Sequence, residues 1–216
     1  MTENLFETKY DLTKKSKLKI FYESNKILIY FVIFLLIVSL SSINYYLSSK
    51  ENKKILLSEN YVTAKIHLEN GEKLEALKIL KKVVYANEPA YSSLAFFMVL
   101  NEDLIQDHKE ISSLFNHLLE NNKFDKEIRN LLIYKKALYL SNYVDELKLL
   151  EEIKPLLIKK DSVWKAHALI LLGDYFVSKK ENLKAKDFYL QILSINNLQK
   201  EFYDQAQSQL LIIAND

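Results

Sequence analysis

Cysteine is absent from the 216 residues of the chain, which removes disulfides, thiolate nucleophiles, cysteine-ligated zinc and lipid attachment through an acylated cysteine. Any membrane attachment must therefore be peptidic. Glycine and proline are almost absent as well, the only examples being Gly71, Gly173, Pro89 and Pro155. Sheet-rich folds use both residues at hairpins and bulges, so their scarcity points to long helices joined by short turns. Charge shows no excess of either sign: 30 Lys+Arg against 28 Asp+Glu leave a formal net charge of +2. The broad basic surface of a nucleic-acid binder is thus missing. Two glycines so far apart cannot build a phosphate-cradling loop, and no helix carries a histidine-carboxylate spacing suited to a metal. The four histidines, His67, His108, His117 and His167, are scattered, and each reads as a surface or partly buried side chain. No catalytic residue, cofactor site or metal site is expected, and the chain does not read as an enzyme.

One long apolar run is present. Ile27 to Leu47 comprises twenty-one residues without a charge, and a helix of roughly 20 residues covers the ~30 Å of a bilayer's hydrocarbon. Lys26 and Lys50 bracket it, with Tyr30, Tyr45 and Tyr46 where aromatic rings favour the headgroup boundary. Lys9, Lys14, Lys15, Lys17, Lys19 and Lys26 precede the run, whereas Lys50, Lys53 and Lys54 follow it. That bias predicts a cytoplasmic N-terminus and a C-terminal domain on the far side of the membrane. A cleaved signal peptide also starts basic and apolar, with small residues at Ser39, Ser41, Ser48 and Ser49. Its apolar core is only ~7 to 15 residues, however, and the preceding leader is long for that role. A retained span is expected, dividing the chain into a basic leader 1–26, a transmembrane helix 27–47 and a helical domain 48–216.

Beyond Lys50, apolar residues recur every three to four positions, the period of amphipathic helices. The expected helices are 51–69, 72–86, 89–104, 107–121, 125–141, 143–159, 161–180, 182–194 and 199–214. Turn chemistry agrees with these bounds. Glu69-Asn70-Gly71 supplies a left-handed C-cap, Asn87-Glu88-Pro89 opens a helix with proline in its first turn, and Asp161-Ser162 caps the helix carrying Trp164. Pro155 falls late in its helix, where it should kink or end it. Tyr91, Phe96 and Phe97 read as core, and Trp164 as a wedge between the third and fourth helix pairs.

Helix pairs recurring every ~35 residues suggest tetratricopeptide repeats. The clearest copy runs from Ala166 to Asn197. Its Leu172-Gly173, Phe176, Ala185 and Tyr189 resemble the repeat's Leu-Gly, aromatic, small and aromatic positions. Gly173 and Ala185 are small where two helices must cross closely, and Phe176 and Tyr189 fill the surrounding space. A fainter copy uses Ala64, Gly71 and Ala76, while the pairs around Ile111-Ser112 and Asp145-Glu146 keep only the apolar period. The fold expected is all-α: one N-terminal transmembrane helix, then a tetratricopeptide-like α-solenoid of about four helix pairs plus a C-terminal helix.

The layout resembles the YfgM-like proteins of Gram-negative bacteria, ancillary subunits of the SecYEG translocon. The likeness is carried by Val163-Trp164-Lys165-Ala166-His167-Ala168-Leu169-Ile170-Leu171-Leu172-Gly173, by Asn182 to Leu193, and by a last helix containing Gln205-Ala206. Lys179-Lys180-Glu181-Asn182 departs from the family's glycine-aspartate turn. The resemblance implies a bacterial inner-membrane protein with a periplasmic domain. Its implied partners are translocon subunits, periplasmic chaperones and translocating clients, besides lipid at the anchor. A generic envelope scaffold or oligomerisation module with other protein partners is the alternative. In a solenoid the first helices of the pairs line a concave face. Register places His167, Ile170, Asp174 and Val177 there on the best repeat, and Ser58, Tyr61, Lys65 and Leu68 on the first. A merely solvated surface is the competing reading of both sets.

Overall fold

The computed structural model describes residues 17–158 and 162–215. Among them there is no strand, and the helices follow one another as α1 (Lys17–Glu69), α2 (Lys73–Val84), α3 (Pro89–Asn101), α4 (His108–Asn121), α5 (Lys126–Leu140), α6 (Glu146–Leu157), α7 (Ser162–Ser178), α8 (Asn182–Leu193) and α9 (Lys200–Asn215). Two compact units result, Met1–Ile55 and Leu56–Asp216. Lys9, Lys14, Lys15 and the expected cap at Asp161 lie outside the described residues.

The first unit holds the apolar part of α1. The expected helices 27–47 and 51–69 belong to a single element, because nothing between Leu47 and Glu51 breaks a helix. Its one interruption is Asn25, whose non-helical φ/ψ of −119° and 15° falls just before the apolar run. The Asn25 amide donates back to the Phe21 carbonyl at 3.0 Å, offering the backbone a local alternative to the regular ladder. From Ile27 to Leu47 the large apolar side chains that stand exposed include Phe31, Phe34, Leu36 and Ile37. Ser42 returns its hydroxyl to the Val38 carbonyl at 2.8 Å, so this polar group is satisfied within the helix itself.

In the second unit, acidic side chains start α3, α4, α5 and α6. Glu88, Asp107, Asp125 and Asp145 accept from the backbone N–H of Tyr91, Lys109, Ile128 and Lys148 at 2.8–2.9 Å, satisfying donors a helix start leaves unpaired. Asp145 thereby begins α6 later than the expected residue 143, with Tyr143 and Val144 drawn into a turn on the Leu140 carbonyl. Pro89 occupies the first turn of α3, and α6 ends shortly after Pro155, as their fixed φ dictates.

Helix ends repeat a geometry that the sequence spells out only once. Gly71 takes a φ of +79°; its N–H reaches the Leu68 carbonyl while that of Glu72 reaches His67. The same paired bonds recur after α3, with Asp103 at φ +49°, and after α7, with Lys180 at φ +62°. This is the Schellman closure, in which a left-handed residue lets two N–H groups cap the last carbonyls. The non-glycine turn at Lys179-Lys180-Glu181-Asn182 therefore preserves the shape of a glycine turn at a cost in backbone strain.

Apolar packing separates into two clusters. One gathers Leu57 and Ala64 of α1 with Leu80, Val83, Phe96, Val99, Ile111, Leu114, Phe115 and Leu118 of α2 to α4. The other runs through α5 to α9 and includes Ile133, Leu149, Ile153, Leu169, Leu172, Phe176, Tyr189 and Phe202. Phe96 meets Phe115 edge to face at 4.4 Å, so the expected aromatic core of α3 is seen; Tyr91 and Phe97 pack on the same cluster. Successive helices pack on each other from α2 to α9, and α7 also touches α5 and α9.

Candidate functional site

Between the two apolar clusters lies a polar seam. Of the buried polar side chains, Asn122, Asn130 and Lys136 all belong to the end of α4 and to α5, and Lys136 is only 5 % exposed. Its ammonium is held by Asn116 of α4 at 2.6 Å and by a short ion pair to Glu152 of α6. Lys148 reaches the other oxygen of Glu152 at 3.3 Å. A charge this deeply buried persists only with such partners, so α4, α5 and α6 are locked in one register.

Two grooves open in the same unit, the second of them at this seam. The first, about 530 Å³, runs between α3 and α5, with Leu94 and Phe97 on one wall, Ile128 and Leu131 on the other, and Phe124 among its lining. Leu94 is 47 % exposed and Ile128 41 %, so apolar surface stands open to solvent. The volume lies within the roughly 300 to 1,000 Å³ of natural ligand pockets. The groove exists because Lys123 to Asp125 form the connection to α5, and Asp125 caps that helix through its 2.8 Å bond to Ile128 N–H. The second groove, about 380 Å³, is polar and lies between α4 and the α5–α6 turn, lined by His108, Lys109, Ser112, Asn116 and Lys148 among others. There His108 stacks on Tyr143 at 4.5 Å, with 8° between the ring planes.

The positions chosen by helical register do not gather at these grooves. On α7, Ile170 is buried in the core, because its helix is apolar on several sides and is covered by neighbours in succession. His167 is half-buried among the rings of Tyr134, Trp164 and Phe202, and burial pushes its imidazole below the ordinary range. Val177 packs against the same cluster, whereas Asp174 is exposed and accepts a 2.6 Å hydrogen bond from the Tyr189 hydroxyl. On α1, Tyr61 packs on the first cluster, Ser58 and Leu68 are partly buried, and Lys65 is exposed. Only Lys65 and Asp174 of the eight are exposed. Trp164 is partly buried against the second cluster, its indole N–H donating to Glu127 of α5 at 2.7 Å.

No sequence signal marked the α3–α5 groove, since Leu94, Phe97 and Ile128 read like any core position of an amphipathic helix. Its walls are mainly apolar, with Ser93, Lys123 and Asp125 as the polar members of the lining. Among the described residues, no cluster of three or more histidines and carboxylates could hold a metal ion. No family model, curated protein or solved structure shows significant similarity to this chain.

Proposed function

We propose that this chain is a non-catalytic, membrane-anchored adaptor that binds other proteins through a tetratricopeptide-like helical domain. The observation that carries the reading is the pairing, in one chain, of a wholly exposed apolar helix segment with a helical unit that opens an apolar groove. A twenty-one-residue uncharged run has the length of one bilayer crossing, and lipid is the solvent that removes the cost of its exposure. Lys50 lies 4.6 Å from the Tyr46 ring centre, an arrangement suited to the headgroup layer at the end of a span. The basic flank before the run favours a cytoplasmic N-terminus.

Stacked helix pairs are supported by links between alternate helices. Lys81 of α2 pairs with Glu110 of α4, Lys184 of α8 with Glu146 of α6 at 2.7 Å, Trp164 of α7 with Glu127 of α5, and His167 of α7 meets Phe202 of α9. Anchoring raises the effective concentration of a modest binder for partners in the same membrane. The YfgM-like resemblance makes those partners SecYEG subunits, periplasmic chaperones and translocating clients.

The test joins topology to capture. Photo-crosslinkers at Leu94 and Ile128 in intact cells are expected to trap envelope and translocon proteins, and protease added outside the inner membrane should reach residues 48–216. Recovery of cytosolic proteins alone overturns the topology and the translocon assignment together. Alkaline extraction should leave the chain in the membrane fraction, whereas Leu36→Lys with Ile37→Lys should release it, each lysine costing about 3 kcal/mol at mid-membrane.

A further inference from the structure

His167 stands where α5, α7 and α9 meet, surrounded by rings. Phe202 of α9 approaches it edge to face at 4.8 Å, Tyr134 of α5 lies at 5.4 Å and Trp164 of its own helix at 5.6 Å. The positions one turn before and after His167, Tyr134 and Phe202 are all uncharged. Lys135 and Glu201, adjacent in sequence to two of these rings, are exposed and lie about 100° round their helices. Of the carboxylates nearest in register, Glu127 holds the Trp164 indole and Asp174 holds the Tyr189 hydroxyl. Tyr134 is the one titratable group among the rings.

We propose that His167 makes the docking of α9 on α7 and α8 acid-labile, so that protonating the imidazole releases α9 and uncovers the apolar faces of those two helices. A cation at this point loses water and gains no carboxylate. Burial alone accounts for the lowered proton affinity of the ring. The folded state therefore holds His167 neutral, and the unfolded or undocked state takes up the proton first. Its contribution to docking is complete above about pH 6.5 and falls as the pH drops towards the depressed native value.

The strain is relieved at α9 because that helix is the most lightly held of the three. The partners of α5 include α4 and α6, with the Lys136–Glu152 pair among its ties. In contrast, α9 rests mainly on α8 and α7 through Phe202, Tyr203 and Ala206, with the Tyr203 hydroxyl bonded to the Ile195 carbonyl. Its release would add an apolar surface to a protein-binding domain without disturbing the α3–α5 groove.

Hydrogen exchange of the full chain in detergent micelles tests this, comparing α9 amides with α4 amides of the same sample so that the intrinsic pH dependence cancels. Protection of α9 relative to α4 is expected to fall roughly tenfold or more between about pH 7.5 and about pH 5. His167→Phe, which keeps a ring, and His167→Gln, which keeps a polar neutral group, should both abolish the fall. Unchanged relative protection in the wild type overturns the proposal, as does an equal fall in both variants. A His167 proton affinity above the ordinary histidine value by NMR titration also overturns it, since the rings would then be stabilising the cation.

Discussion

The ring of Tyr189 in α8 covers the bare Cα of Gly173 in α7. A Cβ built at Gly173 would stand 2.5 Å from Cε1 and 2.6 Å from Cζ of that ring, well inside van der Waals contact. The ring cannot swing away freely, because Tyr189 is completely buried and its hydroxyl is tied to Asp174. Close approach of the two helices thus depends on one residue having no side chain.

Gly173→Ala should destabilise the domain despite alanine's better helix propensity. The propensity gain of about 1 kcal/mol is set against an overpacking cost of about 1–3 kcal/mol, leaving a net loss of up to about 2 kcal/mol. Urea unfolding measures it. Adding Tyr189→Leu should give a combined loss smaller than the sum of the two, because both changes act on one contact.

Alkaline pH should unfold the domain through its tyrosines. Burial first, and the bond to Asp174 second, push the Tyr189 phenol far above its ordinary range; burial also raises Tyr134 and Tyr175. The folded state keeps the proton while the unfolded chain ionises near pH 10, so stability is complete below that value and declines as pH rises beyond it. Tyr189→Phe should cost about 1 kcal/mol at neutral pH and flatten the decline above pH 10 by up to ~1.4 kcal/mol per pH unit. Unfolding curves at a series of pH values decide this.

Breaking the buried ion pair should cost more than removing it whole. Lys136→Met leaves Glu152 in a largely buried site with only Lys148 to answer it, a loss of about 3 kcal/mol. Lys136→Met combined with Glu152→Leu should recover most of that loss in thermal denaturation. If the double variant were as unstable as the single one, packing and not charge would govern the seam.

Lys180→Gly should stabilise the chain. Lys180 occupies the left-handed position that Gly71 fills elsewhere, and its side chain is exposed, so little contact is lost. A gain of about 0.5–1 kcal/mol is expected from relief of backbone strain. The same change at an exposed mid-helix position such as Lys186 should have the opposite sign.

Leu94→Glu and Ile128→Glu should separate binding from folding. Both side chains are substantially exposed, so each change should alter stability by no more than ~0.5 kcal/mol. Capture of partners through the α3–α5 groove should fall with each, and circular dichroism should show unchanged helix content.

The ends at Pro89 and Gly71 were legible because each residue acts within a turn of itself. The start of α6 was not, because its cap at Asp145 fell inside the helix that the apolar period outlined. Gly173 announced a close approach for a similar reason, since a glycine inside a helix has few other uses. Less was legible where a local preference was overridden: Asp103 and Lys180 carry the glycine-like turn without glycine, and only their backbone angles reveal it.

Composition and period by themselves determined an all-helical chain with one long apolar segment, because hydrophobic spacing and turn chemistry act over a few residues. Tertiary structure alone decided which apolar residues stay open, leaving Leu94 and Ile128 on a groove while covering Ile170. It also decided that His167 meets rings and that Lys136 meets Glu152. Those outcomes depend on which helix face meets which neighbour across dozens of residues, and such pairings arise only when the whole unit packs.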